Sequence, residues 1–234
     1  MYNMVVVGSG GTGTYFLKEF SRFIQGGHRS INKMTIVDGD TVEEKNMERQ
    51  AFSQEDVGFN KATVMADVLS SAFELKWGAF SKYLTTLDEL KDVLGSSTST
   101  PLIIGCVDNH ACRMLLEKFF EESRDCIYLD SANEFSTGEV IFAYKKGGKV
   151  ISPCRSYYYP EVASNSNKKV TEMSCEELNN VAPQHIATNM TAGNILLKEV
   201  CSLLSGNEHP GMVTFDLDMY YQEFWPYKNE ENVA

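Results

Sequence analysis

The sequence of 234 residues lacks paired cysteines, a cluster of basic residues and any long apolar run. Its cysteines lie apart, at positions 106, 112, 126, 154, 175 and 201, and none forms a CxxC pair. Because zinc sites built from four cysteines use such pairs, no structural zinc is expected. Scattered thiols of this kind are typical of a reducing environment, so we expect a cytoplasmic protein.

Basic side chains are few, with 21 Lys and Arg against 32 Asp and Glu and a formal net charge of −11. Nucleic-acid-binding faces present clustered Lys and Arg, whereas the densest basic run here, Lys145 to Lys149, is typical of a solvated hairpin turn. No apolar segment approaches the ~20 residues that span a bilayer, and no basic-then-apolar leader precedes the first strand. We expect neither a nucleic-acid partner nor a membrane partner.

Short apolar segments alternate with helical patterns up to Asp130. The apolar segments include NMVVVG, KMTIVD, PLIIGCVDN and CIYLDSA. After the first of them, Phe16, Phe20 and Phe23 recur at helical spacing. Strands that are apolar on both faces and alternate with helices form parallel sheets covered by helices. The sequence therefore predicts an α/β fold with a Rossmann-like, mostly parallel sheet and helices on both faces.

The pattern changes in the C-terminal part. GEVIFAYKKGGKVIS predicts a β-hairpin, and MVTFDLDMYYQEFWP predicts one or two closing antiparallel strands. Between them, a polar, mobile loop over 160–174 precedes a long helix that has Pro183 in its first turn and Gly206 just past its end. The run Tyr157 to Tyr159 is expected in a half-buried strand or hairpin edge. We predict a single domain over 1–234, with a nucleotide-binding core over 1–145.

The stretch GSGGTG follows the first strand with the G-x-G-x-x-G spacing, through Gly8, Gly10, Gly11 and Gly13. Glycines at this spacing allow a tight turn and a close approach of phosphate to the backbone, and the next helix offers N–H groups. Asp38 ends the second strand where a ribose-binding acid belongs. These features predict a nucleotide site without fixing the nucleotide.

The stretch IVDGDTVEEKNMERQ indicates which nucleotide binds. Asn46 and Arg49 follow the second strand, Lys61 opens the next helix, and Asp108 ends a third strand. The carboxyl ends of parallel strands meet at one sheet edge, where ligands bind. The triphosphate of ATP carries about four negative charges and is met by Lys, Arg and a metal, whereas a dinucleotide needs few cations. The set predicts ATP, with Asp108 suited to Mg²⁺.

Four motifs in order, GSGGTG, VDGDTVEEKNMERQ, DVGFNKA and GCVDNHACR, resemble the ThiF/MoeB family of prokaryotic ubiquitin-activating-enzyme-like proteins. The resemblance covers roughly residues 4–145. LDSANEFSTGEV, SCEEL and the helix after APQHI further resemble the ThiF-like proteins of PRTRC gene systems. The resemblance implies MgATP-dependent adenylation of a carboxylate, most often at the C-terminus of a small ubiquitin-like protein, with possible later sulfur or thioester transfer, and it implies a homodimer.

The resemblance also implies roles for individual residues. Asp38 would hold the ribose hydroxyls, Asp108 would bind Mg²⁺, and the glycine loop would take the α-phosphate region. The phosphates and the transition-state charge would fall to Asn46, Arg49 and Lys61. Asp40 and Asn109 lie within the same motifs and complete the expected nucleotide-binding set. Of these residues, Arg49, Lys61 and Asp108 are the expected catalytic ones.

Two departures from the family pattern affect the expected chemistry. The chain begins on its first strand, so the N-terminal Arg that many relatives extend to the partner's ATP has no counterpart. The acceptor cysteine, where the family uses one, is best matched by Cys175 at a predicted helix start, which lowers a thiol pKa. Glu176 and Glu177 follow it and oppose a thiolate, so an ordinary loop cysteine fits equally.

Two alternative functions remain open from the sequence. An NAD-dependent oxidoreductase would explain GSGGTG and Asp38 but would leave the cations and Asp108 without a role. An ATP-binding adaptor without turnover would fit the missing N-terminal Arg. Near the site, His110 is expected to face solvent, and Arg113 either points back toward the site or pairs with surface acids.

Overall fold

The computed structural model describes residues 1–27, 30–95, 98–160 and 185–228. Its strands form one sheet in the order β3-β2-β1-β4-β5-β6-β8-β9, and β7 pairs with β6. The strands are β1 Tyr2–Val7, β2 Ile31–Val37, β3 Trp77–Phe80, β4 Thr100–Gly105, β5 Cys126–Asn133, β6 Thr137–Lys146, β7 Lys149–Ser152, β8 Gly211–Asp216 and β9 Tyr221–Pro226. Neighbours among β1 to β5 pair in parallel, and the later strands pair antiparallel.

Helices and short 3₁₀ turns connect these strands. The α-helices are α1 Gly11–Gln25, α2 Lys61–Phe73, α3 Leu87–Leu94, α4 His110–Glu122, α5 Arg155–Tyr158 and α6 Ile186–Leu204. Two 3₁₀ turns, Glu44–Glu48 and Gln54–Asp56, lie between β2 and α2. Asparagine begins two of the helices, because Asn60 Oδ1 accepts from the N–H of Thr63 and Asn109 Oδ1 accepts from that of Cys112.

The sheet carries a hydrophobic core on each face. Along β1, Met4 and Val6 join the core beneath α1, α2 and α6, while Val5 and Val7 join the core beneath α3 and α4. Alternation of side chains along a strand makes both sets apolar when both faces are covered. The predicted α/β fold with helices on both faces is therefore confirmed, as are the antiparallel strands of the C-terminal part.

The C-terminal part agrees with the sequence except at the tyrosines. The hairpin forms from β6 and β7, and α6 ends at Leu204, with Gly206 at a positive φ of 79° just beyond. The expected strand or hairpin edge at Tyr157 is wrong, because this residue lies in α5. The strand ends at Ser152, since Pro153 has no N–H for a sheet hydrogen bond.

Several expectations lie outside the described residues. They are the mobile loop over 160–174 beyond its first residue, Pro183, and the acceptor cysteine Cys175 with its two neighbouring glutamates. Within the described ranges, no helix is both long and apolar enough to cross a membrane.

The sheet places three connections at one edge. The loops that follow β1, β2 and β4 all leave the carboxyl ends of adjacent parallel strands, as the registers of β1 with β2 and with β4 show. The first turn of α1 packs very closely under this edge, since a Cβ on Gly13 would lie 2.0 Å from the carbonyl oxygen of Gly8. Any side chain at position 13 would push α1 away from β1.

We expect Gly13→Ala to lower the free energy of unfolding by about 2 kcal/mol, because the methyl group forces the backbone apart. Gly78→Ala serves as a control, since its added Cβ would meet its nearest atoms at an ordinary 3.6 Å. Urea unfolding followed by circular dichroism measures both variants. Equal stability of the two variants would contradict the close packing of α1 on β1.

Candidate nucleotide site

A cavity of about 810 Å³ opens at the edge where the three loops meet. Its walls come from the glycine loop after β1, the long connection after β2, the turn after β3, the loop after β4 and the β5–β6 turn. The cavity therefore joins segments that are up to about 130 residues apart in sequence. All the predicted nucleotide-binding residues except Gly13 line it, namely Gly8, Gly10, Gly11, Asp38, Asp40, Asn46, Arg49, Lys61, Asp108 and Asn109.

The carboxylate of Asp38 holds the glycine loop in place. Its Oδ2 accepts hydrogen bonds from the N–H of Ser9 at 2.7 Å and from the Ser9 hydroxyl at 2.9 Å. Its Oδ1 accepts from the N–H of Asp40 at 2.9 Å. Burial raises the pKa of Asp38, while the charge of Lys61 and these hydrogen bonds oppose the rise. The acid expected to bind a ribose thus also ties the loop after β1 to the loop after β2.

The glycines of the loop divide into two roles. Gly8, at a φ of +93°, packs against β4, because a Cβ there would lie 2.4 Å from the carbonyl oxygen of Cys106. Gly13 faces Gly8 rather than the cavity. Gly10 and Gly11 line the cavity at the start of α1, where the first N–H groups of a helix have no partners within the helix. The loop therefore presents backbone donors where a phosphate would lie.

Lys61 is buried at the first position of α2, and its Nζ lies 3.1 Å from Oδ2 of Asp40. The other oxygen of Asp40 accepts a hydrogen bond from the hydroxyl of Tyr83, in the turn after β3. The ring of Tyr83 packs on Gly39, where a Cβ would meet it at 2.6 Å. This arrangement holds the ammonium group at the cavity wall and joins it to the turn after β3.

The connection after β2 contributes an amide, a cation and a second amide. Asn46 is buried, and its Oδ1 accepts from the N–H of Glu43, so it stabilises the 3₁₀ turn on which it lies. Arg49 ends that turn half-buried at the cavity wall. Gln50 is buried beside Gly10, and among the described residues its Oε1 has no hydrogen-bond partner. This buried amide oxygen is therefore available to accept a hydrogen bond from a ligand or a water molecule in the cavity.

The loop after β4 holds the expected metal ligand. Asp108 is exposed at the cavity wall, while the side chain of Asn109 caps α4. His110 also lines the cavity, and its ring is partly buried there rather than fully exposed to solvent. Burial and the charges of Arg113 and Arg155 lower its pKa, so the imidazole is neutral at pH 7.

Charges around the cavity nearly cancel. Five basic and six acidic side chains of the described residues line it, namely Lys45, Arg49, Lys61, Lys82 and Arg113 with Asp38, Asp40, Glu43, Asp108, Glu134 and Glu139. A nucleotide triphosphate with about four negative charges would need further positive charge there. No cluster of three metal-ligating side chains occurs in the described ranges. Mg²⁺ is commonly held by one carboxylate together with phosphates and water, which Asp108 fits.

A network of ion pairs lies behind the cavity wall. Arg113 points back toward the site, and its Nε lies 3.3 Å from Oδ1 of Asp130. The second oxygen of Asp130 pairs with Nε of Arg155, whose Nη1 pairs with Glu139. Arg113 and Glu139 reach the cavity wall, whereas Asp130 and Arg155 do not. The sequence offered Arg113 as one of two options and gave no signal for the others, because they meet only in the folded chain.

The described cysteines are poor nucleophiles. Burial raises the pKa of Cys106 and of Cys112 to about 12, although both line the cavity. Burial also raises the pKa of Cys126 and Cys154. Because the thiolate is the reactive form, none of these four suits acyl transfer at neutral pH.

Some cavity residues gave no distinguishing signal in the sequence, because they lie at variable positions of the motifs or in short connections. Gln50 ends the quoted stretch VDGDTVEEKNMERQ, yet nothing in its spacing distinguished it from a solvated glutamine. Tyr83 lies in the turn between β3 and α3, neither of which was predicted. Thr12 and Asn133 also reach the cavity and are joined by a hydrogen bond of 3.1 Å. Thr12 lies within the motif GSGGTG, but the motif spacing singles out only the glycines.

Known proteins resemble this chain in sequence. A model of the ThiF family matches residues 2–232. Ubiquitin-like modifier-activating enzyme 5 of Oryza sativa subsp. japonica is 28% identical over 131 residues, which cover 52% of this chain and 30% of that protein. The protein of the same name from Dictyostelium discoideum is 27% identical over 125 residues, which cover 50% and 31%. The matches thus span less than a third of the length of these curated relatives.

Solved structures share the fold. E. coli MccB crystallised with ATP superposes at a TM-score of 0.70 and 15% identity, covering 98% of this chain and 65% of the MccB chain. The E. coli MccB complex with AMPCPP and MccA gives 0.69 and 15%, covering 99% and 65%. PaaA gives 0.65 and 18%, covering 96% and 64%. The chain therefore covers slightly less than two thirds of each of these proteins.

We expect Cys106, Cys112, Cys126 and Cys154 to resist iodoacetamide in the folded protein at pH 7.5. A thiol with a pKa near 12 is about one part in 10⁴ thiolate or less at that pH. Mass spectrometry after timed alkylation measures each site, and a urea-unfolded sample, in which all thiols are accessible, serves as the control. Fast labelling of Cys106 or Cys112 before unfolding would contradict their assignment as inert.

Proposed function

Because the chain belongs to the ThiF family, we propose that it activates a carboxylate by MgATP-dependent adenylation. The observation that carries the proposal is the meeting of Arg49, Lys61 and Asp108 with the glycine loop around one cavity. A dinucleotide pyrophosphate would not need two cations and an exposed acid at this place. The triphosphate of ATP would use all three.

Different residues of the cavity are assigned to different parts of MgATP. The N–H groups at the start of α1 would bind the α-phosphate, and Asp38, which also lines the cavity, would bind the ribose hydroxyls. Arg49 and Lys61 would offset the negative charge of the phosphates. In the ligand-free protein, Lys61 is held at the cavity wall by its ion pair with Asp40. Asp108 would hold Mg²⁺ together with phosphate oxygens and water. Bound MgATP supplies an electrophilic phosphorus, which a carboxylate attacks with release of pyrophosphate.

We propose a protein or peptide tail as the carboxylate donor. Two similar proteins bear the name ubiquitin-like modifier-activating enzyme, and MccB has been crystallised with MccA. The cavity wall also includes the end of β5 and the start of β6, among them Ala132, Asn133 and Gly138, which lie outside the nucleotide motifs. We assign this part of the wall to the donor, because the nucleotide motifs do not account for it. The homodimer and the acceptor role of Cys175 stay predictions.

Pyrophosphate exchange tests this function. The protein, MgATP and labelled pyrophosphate are incubated with candidate donors, including small ubiquitin-like proteins and peptides that end in Gly-Gly. Donor-dependent incorporation of label into ATP is the expected result. Tight ATP binding without exchange across the donor panel would favour the alternative of an ATP-binding adaptor.

We expect Arg49→Ala and Asp108→Asn each to slow pyrophosphate exchange about a hundredfold, since one lost charge-stabilising group costs about 3 kcal/mol. Circular dichroism should show an unchanged fold. Arg22→Ala and Asp88→Asn are matched controls, because both side chains are exposed outside the cavity and form only i,i+3 ion pairs. Wild-type exchange rates in either site variant would place the reaction elsewhere.

We expect isothermal titration calorimetry to show micromolar binding of MgATP and much weaker binding of NAD. Because the cavity lining has a formal charge of −1, EDTA should weaken ATP binding at least tenfold. ADP with Mg²⁺ serves as an intermediate comparison. Tighter binding of NAD than of MgATP would revive the oxidoreductase alternative.

A further inference from the structure

Arg155 is a buried cation that lies outside the nucleotide motifs and outside the cavity wall. It begins α5, just after the β6–β7 hairpin, and only 4% of its surface is exposed. Its Nε and Nη1 pair with Asp130 and Glu139, and its Nη2 lies 3.5 Å from the carbonyl oxygen of Asp130. The guanidinium also lies 5.6 Å from the ring centre of Tyr159. All of these contacts fix one orientation of the side chain.

A chain of contacts leads from Arg155 to the loop of Asp108. Asp130 uses one oxygen for Arg155 and the other for Nε of Arg113. Arg113 in turn donates from Nη2 to the carbonyl oxygens of Val107 and of Ser131. Val107 immediately precedes Asp108 and lines the cavity. The position of the Asp108 loop therefore depends on Arg113, whose own position depends on Asp130 and Arg155.

Stability alone gives a weak reason for such a network. Burying Arg113, Arg155 and Asp130 costs desolvation free energy, and well-packed apolar residues often stabilise a protein equally well. Charge-assisted hydrogen bonds, however, fix distances and directions that apolar contacts leave loose. The short helix α5 is also fixed from a second side, because the N–H of Ser156 donates to Glu117 on α4 at 3.1 Å. The network thus has one end held against α4 and the other end at the loop of Asp108.

We propose that Arg155 is a positioning residue that sets the place of Asp108 through Asp130 and Arg113. One consequence of this proposal, a change in the Mg²⁺ dependence of nucleotide binding, rests on the proposed function. The positioning itself is a property of the protein without ligand. Arg155→Gln breaks both ion pairs of Arg155. Arg155→Lys keeps the buried positive charge but loses the several N–H donors of the planar guanidinium group.

Hydrogen–deuterium exchange tests the positioning without any ligand. In Arg155→Gln we expect amides of residues 106–112 to exchange at least tenfold faster, including that of Cys112, which Asn109 holds at 2.8 Å. Arg155→Lys should give a smaller increase. Amides of α3 should be unchanged, and the exposed Arg22→Gln should match wild type throughout. If the glutamine variant does not fold, the lysine variant decides, and unchanged exchange over 106–112 in a folded variant overturns the proposal.

A Mg²⁺ titration tests the consequence. ATP affinity is measured by displacement of a fluorescent ATP analogue at a series of Mg²⁺ concentrations. The half-saturating Mg²⁺ concentration should rise about tenfold in Arg155→Gln, while the ATP affinity without metal should stay constant. An equal loss with and without metal would show general damage and contradict a role directed at Asp108. If wild-type protein binds no MgATP, the proposed function fails, whereas the exchange data still decide whether Arg155 positions the loop.

Discussion

The carboxylate of Asp38 is the contact on which the cavity depends. It joins the backbone and hydroxyl of Ser9, after β1, to the backbone of Asp40, after β2. Asp40 then holds Lys61 at the start of α2. One buried acid therefore fixes the glycine loop, the loop after β2 and the first cation of the site relative to one another. Loss of this acid would leave the strands in place and the ligand-binding loops free.

Charge balance explains why so many acids surround a site proposed for phosphate. The described lining residues carry a formal charge of −1, so the ligand-free cavity avoids a concentration of uncompensated positive charge. Lys61 forms an ion pair with Asp40, and Arg113 forms an ion pair with Asp130. A triphosphate would enter with its own divalent metal, and Asp108, exposed in the loop after β4, is the acid that we assign to it. The chemistry then depends on how accurately Asp108 is placed, which is the task assigned to the network of Arg155.

The sequence predicted the parts of the site that regular elements position. Asp38 and Lys61 were found because one ends an apolar strand and the other opens a helix with a clear apolar stripe. The elements β3 and α3 were missed, since one has four residues with two lacking bulk, and the other has only eight residues. Arg155 and Glu139 could not be found, because their pairing across the β-hairpin follows from tertiary packing and leaves no local pattern. The run Tyr157 to Tyr159 suggested a strand or hairpin edge, but Pro153 ends the strand before this run begins.

Isotope transfer tests the central claim of carboxylate adenylation most directly. A donor that supports exchange is prepared with ¹⁸O in both oxygens of its C-terminal carboxylate and is allowed to react with MgATP, with hydroxylamine to release the products. Adenylation predicts ¹⁸O in AMP and none in phosphate or pyrophosphate, because the carboxylate oxygen bonds to the α-phosphorus. Label in inorganic phosphate, with ADP as the nucleotide product, would contradict adenylation and show attack at the γ-phosphorus instead.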